Sequence, residues 1–328
     1  MVRRYVGELQ EQEAVDEVFR VTGKQLRPNR NGNLYLQMEL SDRSGSLPTR
    51  MWNASEDVYR SFENGDYLRV EGTTQLFQGA MQLIATRITL IEPCEVNEEE
   101  FLPLTEAEIA RLRARLTELL RGLDDPELVM LAECFLMDEE FMGKFTRAPA
   151  GIKLHHAYQG GLLEHVVNLM DVASRVAPCY PQIDRNLLVM GAFLHDMAKV
   201  DELVYDRDMA YSDEGQLIGH LVMAVGMLEA KVREAEKLSG GPLDGEKVLR
   251  LKHMIVAHHG QYDYGSPKLP MTLEALALYY LDNLDAKLFS FHQQLRNDPN
   301  AGSPWTHYNQ NMGRKLFKGY GERDGTPR

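Results

Sequence analysis

The chain has 328 residues, too long for one ordinary domain and long enough for two. Its formal net charge of −13 argues against a protein that merely coats nucleic acid, but not against a nucleic-acid enzyme, because a metal or a local basic groove can offset acidity at a site. No apolar run reaches membrane-span length and none follows Arg3-Arg4, so neither a membrane anchor nor a signal peptide is expected; the three scattered cysteines, Cys94, Cys134 and Cys179, fit no disulfide framework and favour a reducing cytoplasm.

From Phe19 to Ile91 short alternating apolar runs are split by turn signals, which predicts strands. Asn31-Gly32 separates Val18–Val21 from the run that starts at Leu34, a strong hairpin signal. Further strands are expected at Leu36–Leu40, Leu47–Trp52, Tyr67–Val70 and, after Gln78-Gly79, at Met81–Ile84. A short helix over Asp57–Phe62 falls between the third and fourth strands. Five strands with a helix after the third suit a small Greek-key barrel, placed at 1–92. Prolines at both ends and Glu98-Glu99-Glu100 between them mark 93–103 as a linker.

From Thr105 the apolar spacing becomes helical, with Ile109, Leu112, Leu116, Leu119 and Leu120 at three- and four-residue steps. Further helices are expected over Glu127–Met137, Gly161–Ala177, Arg185–Lys199, Gly219–Leu238, Glu246–Ala257 and Met271–Arg296. Residues 104–318 thus form a nearly all-α domain, with a polar, flexible tail at 319–328.

Within that half, His195-Asp196 stands out in Leu194-His195-Asp196-Met197-Ala198-Lys199. His165 aligns with Leu169, Val172 and Val176 on an apolar helix face, and Asp282 aligns with Ala275, Leu278 and Phe289 on another. Asp196 would lie about 100° around the helix from His195, close enough to share one ion. An inward carboxylate is costly without a cation or hydrogen-bond partners. Single core histidines are common, but these residues together with His220 and His258-His259-Gly260 point to a metal. Mixed imidazole and carboxylate suits manganese, iron, cobalt or zinc, and magnesium less well. A metal so held could hydrolyse phosphate esters.

His165, His195-Asp196 and Asp282, in that order, match the H…HD…D pattern of the HD-domain metal-dependent phosphohydrolases. The surrounding words narrow the match: Leu154-His155-His156-Ala157-Tyr158-Gln159-Gly160-Gly161-Leu162-Leu163-Glu164-His165, Gly219-His220, His258-His259-Gly260 and Tyr280-Leu281-Asp282-Asn283-Leu284-Asp285-Ala286-Lys287. With the N-terminal barrel, the chain resembles the YhaM family of bacterial 3′→5′ exoribonucleases from Val18 to Phe317. The resemblance implies a multidomain fold, an all-β OB-fold barrel followed by an all-α HD domain. It implies that His165, His195, Asp196 and Asp282 bind a first ion, manganese foremost, and that His220, His258 and His259 serve a second. It assigns catalytic roles to His195, to Asp196 and to Lys199, the last as a phosphate contact. Two departures stand out. Ala198 replaces the glycine of the HDxGK word, and Gly161 stands where binuclear relatives often carry a glutamate. A homo-oligomer is also implied.

A strand-gripping barrel binds single strands through stacking aromatics and basic residues. The candidates are Lys24, Arg27 and Arg30 at the first hairpin, then Tyr35, Arg50, Trp52 and Phe77, with His155 and His156 beside the metal helix. The leading expectation is an exonuclease on single-stranded RNA, or also DNA, that releases nucleoside 5′-monophosphates. The alternatives are a nucleotide or cyclic-dinucleotide phosphohydrolase and a non-catalytic single-strand-binding protein.

Overall fold

The computed structural model describes residues 3–77, 80–152, 156–205, 209–296, 298, 300, 302–310 and 312–320. The chain divides into two compact units. One comprises Met1–Pro103, Asp206–Asp208 and Phe291–Arg328, the other Leu104–Tyr205 and Met209–Ser290. Residues after Ser290, expected with the helical domain, therefore group with the barrel.

The first unit is built on a closed five-stranded barrel in the order β1-β2-β3-β5-β4, with β1 Ala14–Pro28, β2 Leu34–Asp42, β3 Gly45–Trp52, β4 Tyr67–Phe77 and β5 Ala80–Ile91. A short helix, α1 Glu56–Arg60, follows β3 and is capped by the Ser55 side chain. Period-two alternation places Phe19, Val21, Leu36, Met38, Leu40, Leu47, Leu68, Val70 and Leu83 inside. β1 is far longer than its apolar run suggests. It pairs with β4 over Ala14–Arg20 and with β2 from Arg20 to Pro28, bending at a register shift between Thr22 and Gln25. Gly23 sits in that shift at φ +61, a conformation that suits glycine. Closure by the parallel β3–β5 pair leaves no free edge there.

The second unit comprises α2 Glu106–Arg121, α3 Pro126–Leu136, α4 Glu139–Phe145, α5 Gly161–Val176, α6 Arg185–Leu194, α7 Lys199–Glu202, the two-stranded β6 Leu203–Val204 and β7 Ala210–Tyr211, α8 Asp213–Leu217, α9 His220–Ser239, α10 Gly245–Ala257 and α11 Leu273–Arg296. α11 continues past Ser290 into the segment grouped with the barrel. Every residue of α6 from Leu187 to Leu194 is buried, so this helix runs through the centre of the unit and packs on α5 and α10. Phe135, Phe141, Phe145 and Phe193 interlock around it, with ring centroids 5.2–6.4 Å apart. The β6–β7 ribbon and α4 were not foreseen from periodicity. α6 also ends five residues earlier than expected: its regular turns stop at Leu194, and α7 begins at Lys199. No helix among the described residues is long and apolar enough to cross a membrane.

Candidate metal centre

Because α6 is apolar all round, its C-terminal end is buried too, and the chain delivers His195 and Asp196 there, the one unexposed and the other 2% exposed. They occupy the tight turn after the helix rather than successive positions within it. Met197 N–H donates to Leu194 O and Lys199 N–H to Asp196 O. His165 comes from the buried face of α5, His220 from the first turn of α9, His258 and His259 from the end of α10, and Asp282 from α11.

One pattern unites the histidines. Each turns Nδ1 outward to an oxygen: His165 to Asp285 at 2.7 Å, His195 to Ala192 O at 2.8 Å, His220 to Glu202 at 2.8 Å, His258 to Ile255 O at 2.8 Å and His259 to Tyr264 O at 2.9 Å. Fixing Nδ1 as donor leaves the Nε2 lone pair as the available electron pair, the tautomer a metal ligand needs.

The ligand atoms form two lobes. His165 Nε2 lies 3.3 Å from His195 Nε2 and 3.3 Å from Asp282 Oδ1. Asp196 Oδ2 faces this lobe, 3.4 Å from His195 Nε2 and 3.8 Å from His165 Nε2. Asp196 Oδ1 faces the other lobe, 3.5 Å from both His220 Nε2 and His258 Nε2, and the ligand atoms of His220, His258 and His259 lie within 4.8 Å of one another. Ligands about 2.0–2.1 Å from a tetrahedral ion stand about 3.4 Å apart, so these separations fit donors around a shared cation. Asp196 Oδ1 and His220 Nε2 are both buried with no hydrogen-bond partner. Leaving such atoms unsatisfied costs about 1–3 kcal/mol each, and a cation between them removes the penalty. The donor set therefore fits a pair of divalent ions, with Asp196 as the residue common to both.

The electrostatics agree. Burial disfavours the charged Asp196, yet Lys199 and His195 outweigh it and hold the carboxyl well below its usual range. Asp282 is depressed in the same way, burial being overcome by His165 and His195. Burial would lower His165, but its hydrogen bonds to the Asp282 and Asp285 carboxylates raise it to about 9. Burial and neighbouring His258 bring His259 down to about 4. The first lobe thus calls for positive charge, and the second offers neutral imidazole.

Behind His165 lies a chain of contacts not foreseen from the sequence. Asp285 Oδ2 also sits 3.3 Å from His156 Nε2, and His156 Nδ1 lies 3.0 Å from the Tyr158 hydroxyl and 3.2 Å from Glu164. Tyr158 donates in turn to Glu164. His156 is 2% exposed and stacks on Phe289 at 4.0 Å, so it braces Asp285 rather than meeting a nucleic-acid strand. It holds φ +49, and its carbonyl accepts from Ala150 and Tyr158 N–H. A Cβ at Gly161 would meet that same carbonyl, so a glutamate there would force the 156–161 turn to shift. Asp285 and Glu202 each follow a motif residue by three positions, a helical spacing that could have flagged both. His155 lies outside the described residues. Lys199, expected to meet phosphate, is buried and donates to Asp196 Oδ2 and Ala150 O, each at 2.6 Å. It acts first as a brace for Asp196.

On the barrel, the exterior positions of three strands line up. Arg27 pairs with Tyr35 across β1–β2, and Tyr35 with Trp52 across β2–β3, their rings 5.2 Å apart. The Arg50 guanidinium lies 5.2 Å from the Phe77 ring and 6.0 Å from Trp52. Trp52, Phe77 and Arg27 are exposed, Tyr35 and Arg50 half-buried, and Arg30 is exposed in the β1–β2 turn. Lys24 does not join them. It lies on β1, not in a hairpin loop, and its ammonium is committed to Tyr59 O, Phe62 O and Glu63.

Residues 17–91 match the family of OB-fold nucleic acid binding domains, and residues 162–287 match the HD domain. The 3′-5′ exoribonuclease YhaM of Bacillus velezensis is 32% identical over 86% of this chain and 88% of its own length. That of Bacillus subtilis is 32% identical over 84% and 86%, and that of a Geobacillus strain 33% over 79% and 78%. A similarity that spans both the barrel and every lobe of the histidine-aspartate cluster places this chain in the YhaM family of 3′-5′ exoribonucleases.

Proposed function

We propose that the protein is a metal-dependent 3′-5′ exoribonuclease that trims single-stranded RNA to nucleoside 5′-monophosphates. The observation that carries the chemistry is the two-lobed donor set joined by Asp196. A mixed set of imidazoles and carboxylates suits a first-row transition ion. In this reading the ion is manganese, with cobalt, iron, zinc and magnesium as alternatives. Divalent ions bound there supply activation of water and neutralisation of charge on the phosphate under attack.

The residues do the rest by position. His165, His195, Asp196 and Asp282 hold the first ion, and Asp196, His220, His258 and His259 the second. Lys199 fixes the Asp196 carboxylate and keeps it ionised. Asp282, side chain 19% exposed against 0% for His165, is the more open of the two ligands, and this reading brings the strand end in beside it. Arg27, Arg30, Tyr35, Arg50, Trp52 and Phe77 supply stacking and phosphate contacts on the barrel. Because those contacts do not read the 2′-hydroxyl, single-stranded DNA is a second substrate in this reading. The direction of trimming is carried by family membership.

An intact donor set weighs against a purely binding protein, and the aromatic strip weighs against a small diffusible nucleotide as the main substrate. Leu276, Tyr280, Leu284 and Leu288, four residues apart and exposed on α11, support a homo-oligomer. The free thiols support a cytoplasmic site of action. The test is digestion of 5′-end-labelled single-stranded RNA with Mn²⁺. A ladder shortening from the 3′ end, with nucleoside 5′-monophosphate released and chelator abolishing it, is expected. Intact RNA in the presence of bound Mn²⁺ would overturn the reading.

A further inference from the structure

Residues 304–310 and 312–318 pair as an antiparallel ribbon held by two isolated bridges. Trp305 bridges Phe317 and Asn309 bridges Arg314, both antiparallel. Thr306 N–H donates to Leu316 O at 2.9 Å, and Lys318 N–H to Pro304 O at 2.7 Å. One face is anchored: Leu316 and Thr306 are 2% and 3% exposed. Period two then sends Trp305, His307, Lys315 and Phe317 to the opposite face. That face stays in solvent, with Trp305 47%, Phe317 43% and Tyr320 74% exposed. The Trp305 and Phe317 rings lie 4.9 Å apart, and Phe317 and Tyr320 5.3 Å apart.

A cross-strand aromatic pair steadies a ribbon by itself. It does not account for a third exposed ring, nor for the charge around it. From Pro299 to Gly321 the sequence has no acidic residue, yet it carries Arg314, Lys315 and Lys318 in a chain of net charge −13. Lys318 is tied to Asp298, which leaves Arg314 and Lys315 as the exposed cations of the ribbon. Adjacent exposed rings flanked by cations in an acid-free stretch complement a flexible polyanion with flat bases.

We propose that this ribbon face is a second binding site for single-stranded nucleic acid, made of residues distinct from the barrel strip. Bases stack on Trp305, Phe317 and Tyr320, and Arg314 and Lys315 meet the phosphates. The proposal rests on the RNA reading above and extends it. A strand held at a second place dissociates more slowly between successive cuts.

The chain has two tryptophans, Trp52 and Trp305, so each surface can report separately. In an Asp196→Asn background, which keeps the strand intact, Trp52→Phe leaves Trp305 as the only indole. Titration with oligouridylate is expected to quench Trp305 emission saturably and more weakly as salt rises. Adding Arg314→Glu and Lys315→Glu is expected to weaken that response on the order of tenfold. Unchanged Trp305 emission, while Trp52 in the Trp305→Phe protein is quenched, would overturn the ribbon site and leave the RNA reading standing. Silence from both indoles would overturn both. A Trp305 change that follows protein concentration without RNA, with a dimer in sedimentation, would assign the face to a second copy and overturn the proposal.

Discussion

Asp196 Oδ1 and His220 Nε2 stand 3.5 Å apart, both buried, and neither has a hydrogen-bond partner. Around them the bracing atoms are committed. Lys199 grips the second Asp196 oxygen, and Glu202 fixes the far side of the His220 ring. Two orphaned atoms facing each other among braced neighbours mark where a cation belongs.

The bracing carboxylates separate the lobes experimentally. Asp285→Asn loosens His165, and Glu202→Gln loosens His220. Each is expected to weaken Mn²⁺ binding about 10–100-fold, the usual cost of losing a partner behind a ligand histidine. Calorimetric titration should show the loss in a different binding step for each variant. Identical effects on a single step would argue against two lobes.

Proton competition gives the pH dependence. In the metal-free protein His165 is raised to about 9 from 6.5. A raised folded-state value contributes stability that is fully present below 6.5 and is lost as pH rises through 9. Thermal melting of chelator-treated protein is expected to fall over that window, by at most about 3 kcal/mol. An ion must displace the same proton, so apparent Mn²⁺ affinity should rise about tenfold per pH unit between about 6.5 and 8.5. His259, at about 4, is already neutral and adds nothing to this slope. A flat affinity profile would remove His165 from the ligand set.

Much of the centre was legible in the sequence because its residues fall at helical positions or in compact words. His165 and Asp282 align with apolar helix faces, which turns both inward, and the His-Asp pair stands out as a compact word after an apolar run. What periodicity could not show is the turn at Leu194. An apolar run looks equally helical whether its last residues coil on or tighten, so the expected helix ran to Lys199. Lys24 misled for a related reason. A cation in an apparent loop reads as solvated, but β1 continues through it, and its side chain folds onto Tyr59 and Phe62. The bracing role of His156 depends on three-dimensional neighbours that no local pattern encodes, whereas Asp285 and Glu202 stand one helical step from motif residues and could have been read from that spacing.

Lys24 and Trp52 therefore give opposite outcomes. Trp52→Ala is expected to weaken single-stranded RNA binding by about 1–3 kcal/mol with little change in melting temperature. Lys24→Ala should leave affinity near wild type but destabilise the barrel by about 1–3 kcal/mol, because Tyr59 O and Phe62 O lose their donor. Fluorescence anisotropy and thermal melting on both variants decide the assignment.

Gly161→Ala tests the packing behind the centre. The new methyl meets the His156 carbonyl, which also accepts from Ala150 and Tyr158. A loss of about 1–3 kcal/mol in stability is expected, together with weaker Mn²⁺ binding as Asp285 shifts. Unaltered melting would show that the 156–161 turn yields more easily than its hydrogen bonds imply.

The most direct test of the centre is the Mn²⁺ stoichiometry of the purified protein and of its Asp196→Asn variant, read alongside hydrolysis of single-stranded RNA. Two ions per chain in the parent, with loss of tight binding in both lobes and a fall of at least about 10³-fold in hydrolysis for the variant, are expected if Asp196 joins the lobes. A variant that keeps two ions and trims RNA at the parent's rate would contradict the account.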